Sequence, residues 1–356
     1  MTPKFHTLTI ADIRKETEDT VSIAFTIPEA LKSEYKYLSG QYLTLKAMIN
    51  GEDVRRSYSL CSAPFENEWR IAVKQIENGK FSTFANNDLN IGDQLEVMTP
   101  TGNFKIETNP TRKKTYALFA AGSGITPVIS MAKSILKDET ESDVSIVYGN
   151  KGFNSIIFRE ELEALKNQYM NRLRLVHILS RESLGNDIQK GRIDEQKTLD
   201  IYDAFFKNTL IDGAYICGPE SMIHGVKDGL SAKGVEMKNI HFELFTSPSA
   251  KKESTALPTN SPKIESNVSI ILDGDQLDIH LDSNGQNILD AAQEAGADLP
   301  FACKGGVCCT CKAKILEGTA SMDVNYALEP DEVEAGYILT CQAHPTSDKL
   351  VISFDD

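Results

Sequence analysis

The sequence predicts a multidomain protein. An antiparallel β-barrel comes first, then an α/β domain with a parallel sheet, then an α+β domain of β-grasp type. Three observations carry this. Short β-rich runs fill the first 110 residues, strands and helical stretches alternate in the middle, and a hairpin, a helix and a cysteine cluster occupy the end. A chain of 356 residues has room for two or three cores. The expected boundaries are 1–110, 111–245 and 267–356, with a linker at 246–266.

In the first domain, β-rich runs recur at 5–13, 21–27, 42–49, 57–61, 69–75 and 94–98, punctuated by Gly and Asn. That is the pattern of a small barrel. Strand alternation sends Arg56 and Tyr58 to one face and Ser57 and Ser59 to the other. An arginine beside an aromatic suits a flavin nucleotide, with charge for phosphate and a ring for stacking. A surface ion pair and a half-buried strand aromatic are the plain alternatives. The stretch Gly79-Lys80-Phe81-Ser82-Thr83 is expected to open a short helix and offer N–H and hydroxyl donors to the same phosphates.

The middle alternates strand (116–120), helix (128–137), strand (144–148), helix (156–167), strand (173–179) and strand (213–217), with a helix from about Glu220. A βαβ series implies a parallel sheet that binds nucleotide at the strand C-termini. Gly122 and Gly124, in Gly-Ser-Gly-Ile-Thr-Pro, let a pyrophosphate approach a helix N-terminus, and Pro127 suits the first helical position. An ordinary tight turn is the alternative. After the 173–179 strand, Ser180 and Arg181 offer a hydroxyl and a guanidinium fork where a dinucleotide ribose falls, and Arg192 adds charge. An acidic residue there would favour NADH. This pattern favours NADPH, with Glu182 opposing it slightly.

The segment 246–267, TSPSAKKESTALPTNSPKIESN, has almost no large apolar residue and reads as a solvated tether. Beyond it, runs at 268–272 and 276–281 flank an Asp273-Gly274 turn. Residues 287–295 read as a helix capped by Gly296, and 312–316 and 349–354 read as strands. Cys303, Cys308 and Cys311 follow C-x4-C-x2-C, with Cys341 further on. This is the thiolate spacing of a plant-type [2Fe–2S] centre. Zinc sites favour repeated short pairs, and only one occurs here. Seven cysteines and an N-terminus without a signal pattern argue against a disulfide framework and place the chain in the cytoplasm. Cys309 is read as a bystander whose side chain points away from the cluster.

Net charge is 37 − 51 = −14, which argues against nucleic acid, and no 18-residue apolar run exists to span a membrane. Residues 267–356 hold 4 basic and 16 acidic residues, a net of −12, so the acidity sits mostly on the last domain. It serves solubility or steers a basic partner face.

Arg56-x-Tyr58-Ser59, Gly79-x-x-Ser82-Thr83, GSGITP, Cys217-Gly218-Pro219 and the four spaced cysteines occur in this order. The whole chain thereby resembles ferredoxin–NADP⁺ reductase-like proteins with a C-terminal plant-type ferredoxin. The stretches FHTLT, VRRSYSL, GQYLTLKA, DLPFACKGGVCCTCK, NYALEPDE and GYILTCQA resemble most the reductase subunits of phenylacetyl-CoA epoxidase systems. The resemblance implies electron flow from NADPH through FAD and a [2Fe–2S] cluster to a multisubunit oxygenase or epoxidase. The reductase of a ring-hydroxylating dioxygenase or another monooxygenase is the alternative, and a cluster-based redox sensor a more distant one. It further implies that Arg56 neutralises the FAD pyrophosphate, Tyr58 stacks on the flavin ring, and Ser59 bonds near its N5. Gly79, Ser82 and Thr83 would hold phosphates. Thr126, Cys217, Gly218 and Pro219 would lie at the nicotinamide side, and Glu243 and Phe245 near the flavin. Ser59, Cys217 and Glu243 are the implied catalytic residues.

Overall fold

A computed structural model describes residues 4–183, 185–245 and 264–356. Of the tether expected at 246–266, residues 246–263 lie outside the described residues. The first domain comprises β1 (Phe5–Thr17), β2 (Thr20–Thr26), β3 (Tyr42–Ile49), β4 (Glu52–Ser59), β5 (Trp69–Lys74), α1 (Lys80–Asn87) and β6 (Gln94–Met98). The strands form one antiparallel sheet in the order β4-β3-β6-β1-β2-β5. A bridge from Leu60 to Ile71 brings its edges together as a barrel. Leu8, Ile10, Ile23, Leu43, Leu45, Ile71 and Val97 fill the interior. Each such side chain stabilises the fold by roughly 1.5–3 kcal/mol on burial. The fourth strand starts at Glu52 rather than at 57. Asn50 and Gly51 both take positive φ, and this two-residue turn sets Glu52 opposite Ile49.

The second domain comprises β7 (Thr115–Ala121), α2 (Ile125–Asp138), β8 (Asp143–Asn150), α3 (Arg159–Gln168), β9 (Leu173–Leu179), α4 (Glu195–Phe205), β10 (Gly213–Gly218), α5 (Glu220–Ala232) and β11 (Ile240–Leu244). Its five strands are parallel in the order β11-β10-β7-β8-β9. Alternate residues feed two cores, Leu118 with Ile125 and Val128 in one, Phe119 with Ile216 and Val226 in the other. Strand order reverses between β7 and β10, and a nucleotide crevice belongs at their C-terminal ends. Helix α2 begins at Ile125, after a 3₁₀ turn over Gly122–Gly124, so Pro127 is its third residue and not its first. No bond is lost, because the first turn of a helix has no intrahelical partners for its N–H groups. Helix α3 begins at Arg159 because Phe158 takes a left-handed conformation. Helix α4 and strand β11 went unread in the sequence: α4 mixes charged residues into its apolar period, and β11 is five residues long.

The third domain comprises β12 (Glu265–Leu272), β13 (Asp275–Asp282), α6 (Ile288–Glu294), β14 (Lys312–Glu317), β15 (Ala320–Met322), α7 (Pro330–Glu334), β16 (Tyr337–Leu339), β17 (Ala343–Pro345) and β18 (Lys349–Ser353). Its main sheet runs β13-β12-β18-β14-β16, with β12 parallel to β18, and α6 packs on it. This is a β-grasp arrangement. Residues 265 and 266 belong to this sheet rather than to the linker, since Ser266 is buried and pairs with Leu281. The Asp273-Gly274 turn forms as read, and both its N–H groups donate to the Asp355 carboxylate at 2.8 and 2.9 Å. Gly296, at φ 95°, ends α6.

Candidate functional site

In the β3–β4 hairpin, Tyr42 pairs with Ser59, Thr44 with Ser57 and Lys46 with Arg55. Those six side chains share one face. The Thr44 and Ser57 hydroxyls lie 3.0 Å apart. Arg56 and Tyr58 take the other face, as alternation requires. Tyr58 packs on Phe81 of α1 with ring centroids 5.6 Å apart. Arg56 donates to the Arg55 carbonyl at 2.7 Å and has no carboxylate partner among the described residues. It lines a cleft of about 420 Å³ with Asp53 and Arg55, whose opposite wall is Phe301, Ala302, Cys303 and Lys304. Gly79 caps α1. The Ser82 hydroxyl is engaged in that turn, donating to Gly79 C=O at 3.3 Å and accepting from Ile76 N–H at 3.2 Å. Thr83 N–H closes the first helical bond to Gly79 at 2.9 Å.

The first two domains meet at Ser59, whose hydroxyl donates to Glu243 Oε2 at 3.3 Å. Glu243 is half-buried, and burial pushes its carboxyl up to about 8. It neighbours Cys217 in the parallel register of β10 and β11. Cys217 is fully buried, and desolvation, followed by the Glu243 charge, holds its thiol well above the usual range. Gly124 lies against the Cys217 carbonyl, where a Cβ would come within 2.1 Å. Thr126 is buried, its hydroxyl donating to Ser123 C=O at 3.1 Å. The Gly122 carbonyl accepts from Tyr148 at 2.9 Å. Pro219 caps α5, and Phe245 N–H reaches the Gly218 carbonyl at 3.4 Å.

Ser180, Arg181 and Arg192 stand apart, at the edge strand β9. A bridge between Leu179 and Lys190 brings their two segments side by side. Both arginines are exposed and without a carboxylate partner among the described residues. Glu182 is turned to the Phe153 N–H, which donates to it at 2.9 Å.

The cysteine loop runs between α6 and β14. Cys308 Sγ lies 3.2 Å from Cys303 Sγ, and Gly305 N–H donates to Cys303 Sγ at 3.3 Å. Hydrogen bonds from Cys308 and Cys341, then from the Gly305 and Val307 amides, hold the Cys303 thiol low. Cys341 in turn neighbours both Cys303 and Cys311. Gly306, at φ 70°, has no room for a Cβ, which would meet Val324 C=O at 2.8 Å. Cys309 instead points at Ala327 C=O, 3.2 Å away. Four thiols with amide donors on a glycine-bearing loop fit a two-iron cluster. An uncompensated Arg56 beside a tyrosine and a glycine-capped helix fits a flavin nucleotide.

Two residues were missed in the sequence. Tyr42 reaches into the cysteine loop, accepting from Cys309 N–H at 3.1 Å. Arg55 reaches Asp298 at 2.7 Å and the Leu299 carbonyl at 3.4 Å, and lies 4.2 Å from the Phe301 ring centroid. The only hint was alternation, which puts Arg55 opposite Arg56. Tyr326 and Val307 of the third domain pack on the second. The cysteine loop thus sits against both other domains.

Family models match in three blocks: an oxidoreductase FAD-binding domain over residues 7–106, an oxidoreductase NAD-binding domain over 118–228 and a 2Fe-2S iron-sulfur cluster binding domain over 270–346. The chain is 43% identical to a 1,2-phenylacetyl-CoA epoxidase subunit of Escherichia coli (strain K12), over 99% of this chain and 98% of that protein. It is 35% identical to the 3-ketosteroid-9-alpha-monooxygenase ferredoxin reductase component of Rhodococcus rhodochrous, over 98% and 96% of the two chains. The solved structure of phthalate dioxygenase reductase is similar at TM-score 0.60 and 25% identity, over 98% of each chain. An intact type IV self-sufficient cytochrome P450 monooxygenase shares the fold at TM-score 0.71 and 22% identity, covering 98% of this chain and 41% of that one. Fold and site together define an oxidoreductase of the class that serves oxygenases as electron-transfer reductase component. The chain belongs to the family that contains the Escherichia coli epoxidase protein and the 3-ketosteroid-9-alpha-monooxygenase reductase components. No helix among the described residues is long and apolar enough to cross a membrane.

Proposed function

We propose that this chain carries electrons from NADPH to the oxygenase component of a phenylacetyl-CoA epoxidase system. Bound FAD and a bound [2Fe–2S] cluster supply the conversion of paired electrons into single ones. The residues of the chain bind and orient. Arg56, Gly79 and Thr83 hold the FAD phosphates, and Tyr58 supports the ring. Ser82 acts indirectly, by fixing the turn that enters α1. Ser59 and Glu243 present a hydroxyl and a half-buried carboxyl to the reacting edge, with Phe245 beside them. Gly122, Gly124, Thr126, Cys217, Gly218 and Pro219 form the pyridine-nucleotide crevice. Cys303, Cys308, Cys311 and Cys341 hold the cluster. NADPH is the preferred donor because Arg181 and Arg192 present uncompensated charge for a 2′-phosphate while Glu182 is turned away. The expected compartment is the cytoplasm, where thiolates stay reduced and available to iron.

The observation that carries this reading is the seat of the cysteine loop on the FAD-binding hairpin, through Tyr42 and Arg55. The choice of acceptor rests on the 43% identical relative. The test is copurification with epoxidase subunits, followed by NADPH consumption on adding phenylacetyl-CoA. Tight coupling is expected. Coupling only to a ring-hydroxylating dioxygenase would move the chain to that alternative.

A further inference from the structure

Tyr42 opens β3 of the first domain, yet its side chain ends inside the cysteine loop of the third. It is 3% exposed. Its ring packs with Ala302, Cys303 and Cys308. Its oxygen accepts from Cys309 N–H at 3.1 Å and lies 3.2 Å from Thr310 Oγ1. Cys309 and Thr310 are the two residues between Cys308 and Cys311. A phenol that accepts from an amide still has its own proton to give, and Thr310 is the acceptor in reach. Thr310 is itself buried, in the span between Cys308 and Cys311. A pair of hydroxyls therefore leads from the FAD-binding domain into the span between two of the four thiols. Packing alone does not require it, because phenylalanine would fill nearly the same volume.

We propose that Tyr42 is a positioning residue that raises the reduction potential of the cluster while the third domain rests on the FAD-binding hairpin. The physical reason is charge. A one-electron reduction adds one negative charge, shared with the thiolate sulfurs. Buried hydroxyl donors set between two of those sulfurs stabilise that form more than the oxidised one, and the polar groups around the sulfurs are among the factors that set such potentials. Linkage then works in reverse: reduction tightens the seating of the third domain by the same factor. The inference rests on the four cysteines holding a cluster.

The test is an anaerobic redox titration of the full-length, cofactor-loaded protein, read by visible absorbance and by electron paramagnetic resonance of the reduced cluster. Tyr42→Phe keeps the ring and its burial and removes only the hydroxyl. It is expected to disfavour reduction about tenfold, which is about 59 mV for one electron. Thr310→Val is expected to shift the potential in the same direction. Adding Tyr42→Phe to Thr310→Val is expected to change nothing more, since the hydroxyl pair is already broken. A Tyr42→Phe protein that melts earlier at an unchanged potential would reduce the residue to packing and overturn the proposal. If that variant does not fold, an unmoved potential in Thr310→Val overturns it equally. Should the unmodified protein lack iron–sulfide absorbance, the ligand assignment itself fails, which is a separate outcome.

Discussion

The Arg55 guanidinium lies 2.7 Å from the Asp298 carboxylate, joining residues 243 positions apart across two domains. The arginine side chain is 5% exposed and the aspartate 76%. An ion pair with one solvated partner contributes little by itself. Arg55 adds the Leu299 carbonyl and the Phe301 ring, so its removal takes away three contacts at once. Arg55→Ala is expected to slow cytochrome c reduction about tenfold, the equivalent of about 1.4 kcal/mol. Ferricyanide, which takes electrons at the flavin, is expected to be reduced at the unmodified rate. Steady-state assays with both acceptors check this, and equal losses would refute a docking role.

The proposed preference for NADPH rests on the exposed pair Arg181 and Arg192. Arg181→Ala is expected to raise the KM for NADPH about tenfold, roughly one charge-assisted contact to phosphate. The KM for NADH is expected to stay within about twofold, since NADH offers no 2′-phosphate. Initial-rate kinetics with both donors decide it.

Glu243 makes stability depend on pH. Its folded-state value is about 8, raised by burial from the ordinary 4.5. Between these values the folded chain binds the extra proton, so stability is highest below 4.5 and falls as pH rises toward 8. At 1.36 kcal/mol per unit the loss is on the order of 3–5 kcal/mol. Glu243→Gln cannot ionise and is expected to flatten this slope. Thermal melts of both proteins across that range would show the curves separating as pH rises, and parallel curves would exclude Glu243 as the cause.

Gly124 has no space for a side chain, because its Cβ would meet the Cys217 carbonyl, part of the backbone, at 2.1 Å. Gly124→Ala must push the turn before α2 away from β10 at the crevice. A loss of about 1–3 kcal/mol is expected, the range for overpacking. Nucleotide binding is expected to weaken while the FAD content holds, as calorimetry and the visible spectrum would report.

Cys308 and Cys309 are adjacent but face different ways. Cys308→Ser is expected to abolish the cluster while the flavin spectrum remains. Cys309→Ser, whose parent side chain is turned to Ala327 C=O and the apolar core of its domain, is expected to keep it. Iron content per chain separates the two.

Much of this was legible along the chain. Strands at residues 42–49, 94–98 and 173–179 were bounded as observed, because β-rich runs between turn residues need no distant information. The glycine turn, the helix cap at Gly79 and the cysteine spacing were equally local. Asn50-Gly51 was an available hairpin signal that went unread. Of the elements that escaped, β11, β15, α7, β16 and β17 are three to five residues long, too short for any period to repeat, and α4 mixes charged residues into its apolar period.

By itself the sequence determined three domain types in order and the spacing of the cysteines in the last, since each is written between near neighbours. Tertiary structure alone decided that Tyr42 and Arg55 grip that loop and that Ser59 meets Glu243, 184 residues away. Such pairings depend on strand register and on how separate cores pack against one another, and no local pattern encodes which surface a folded domain turns to its neighbour.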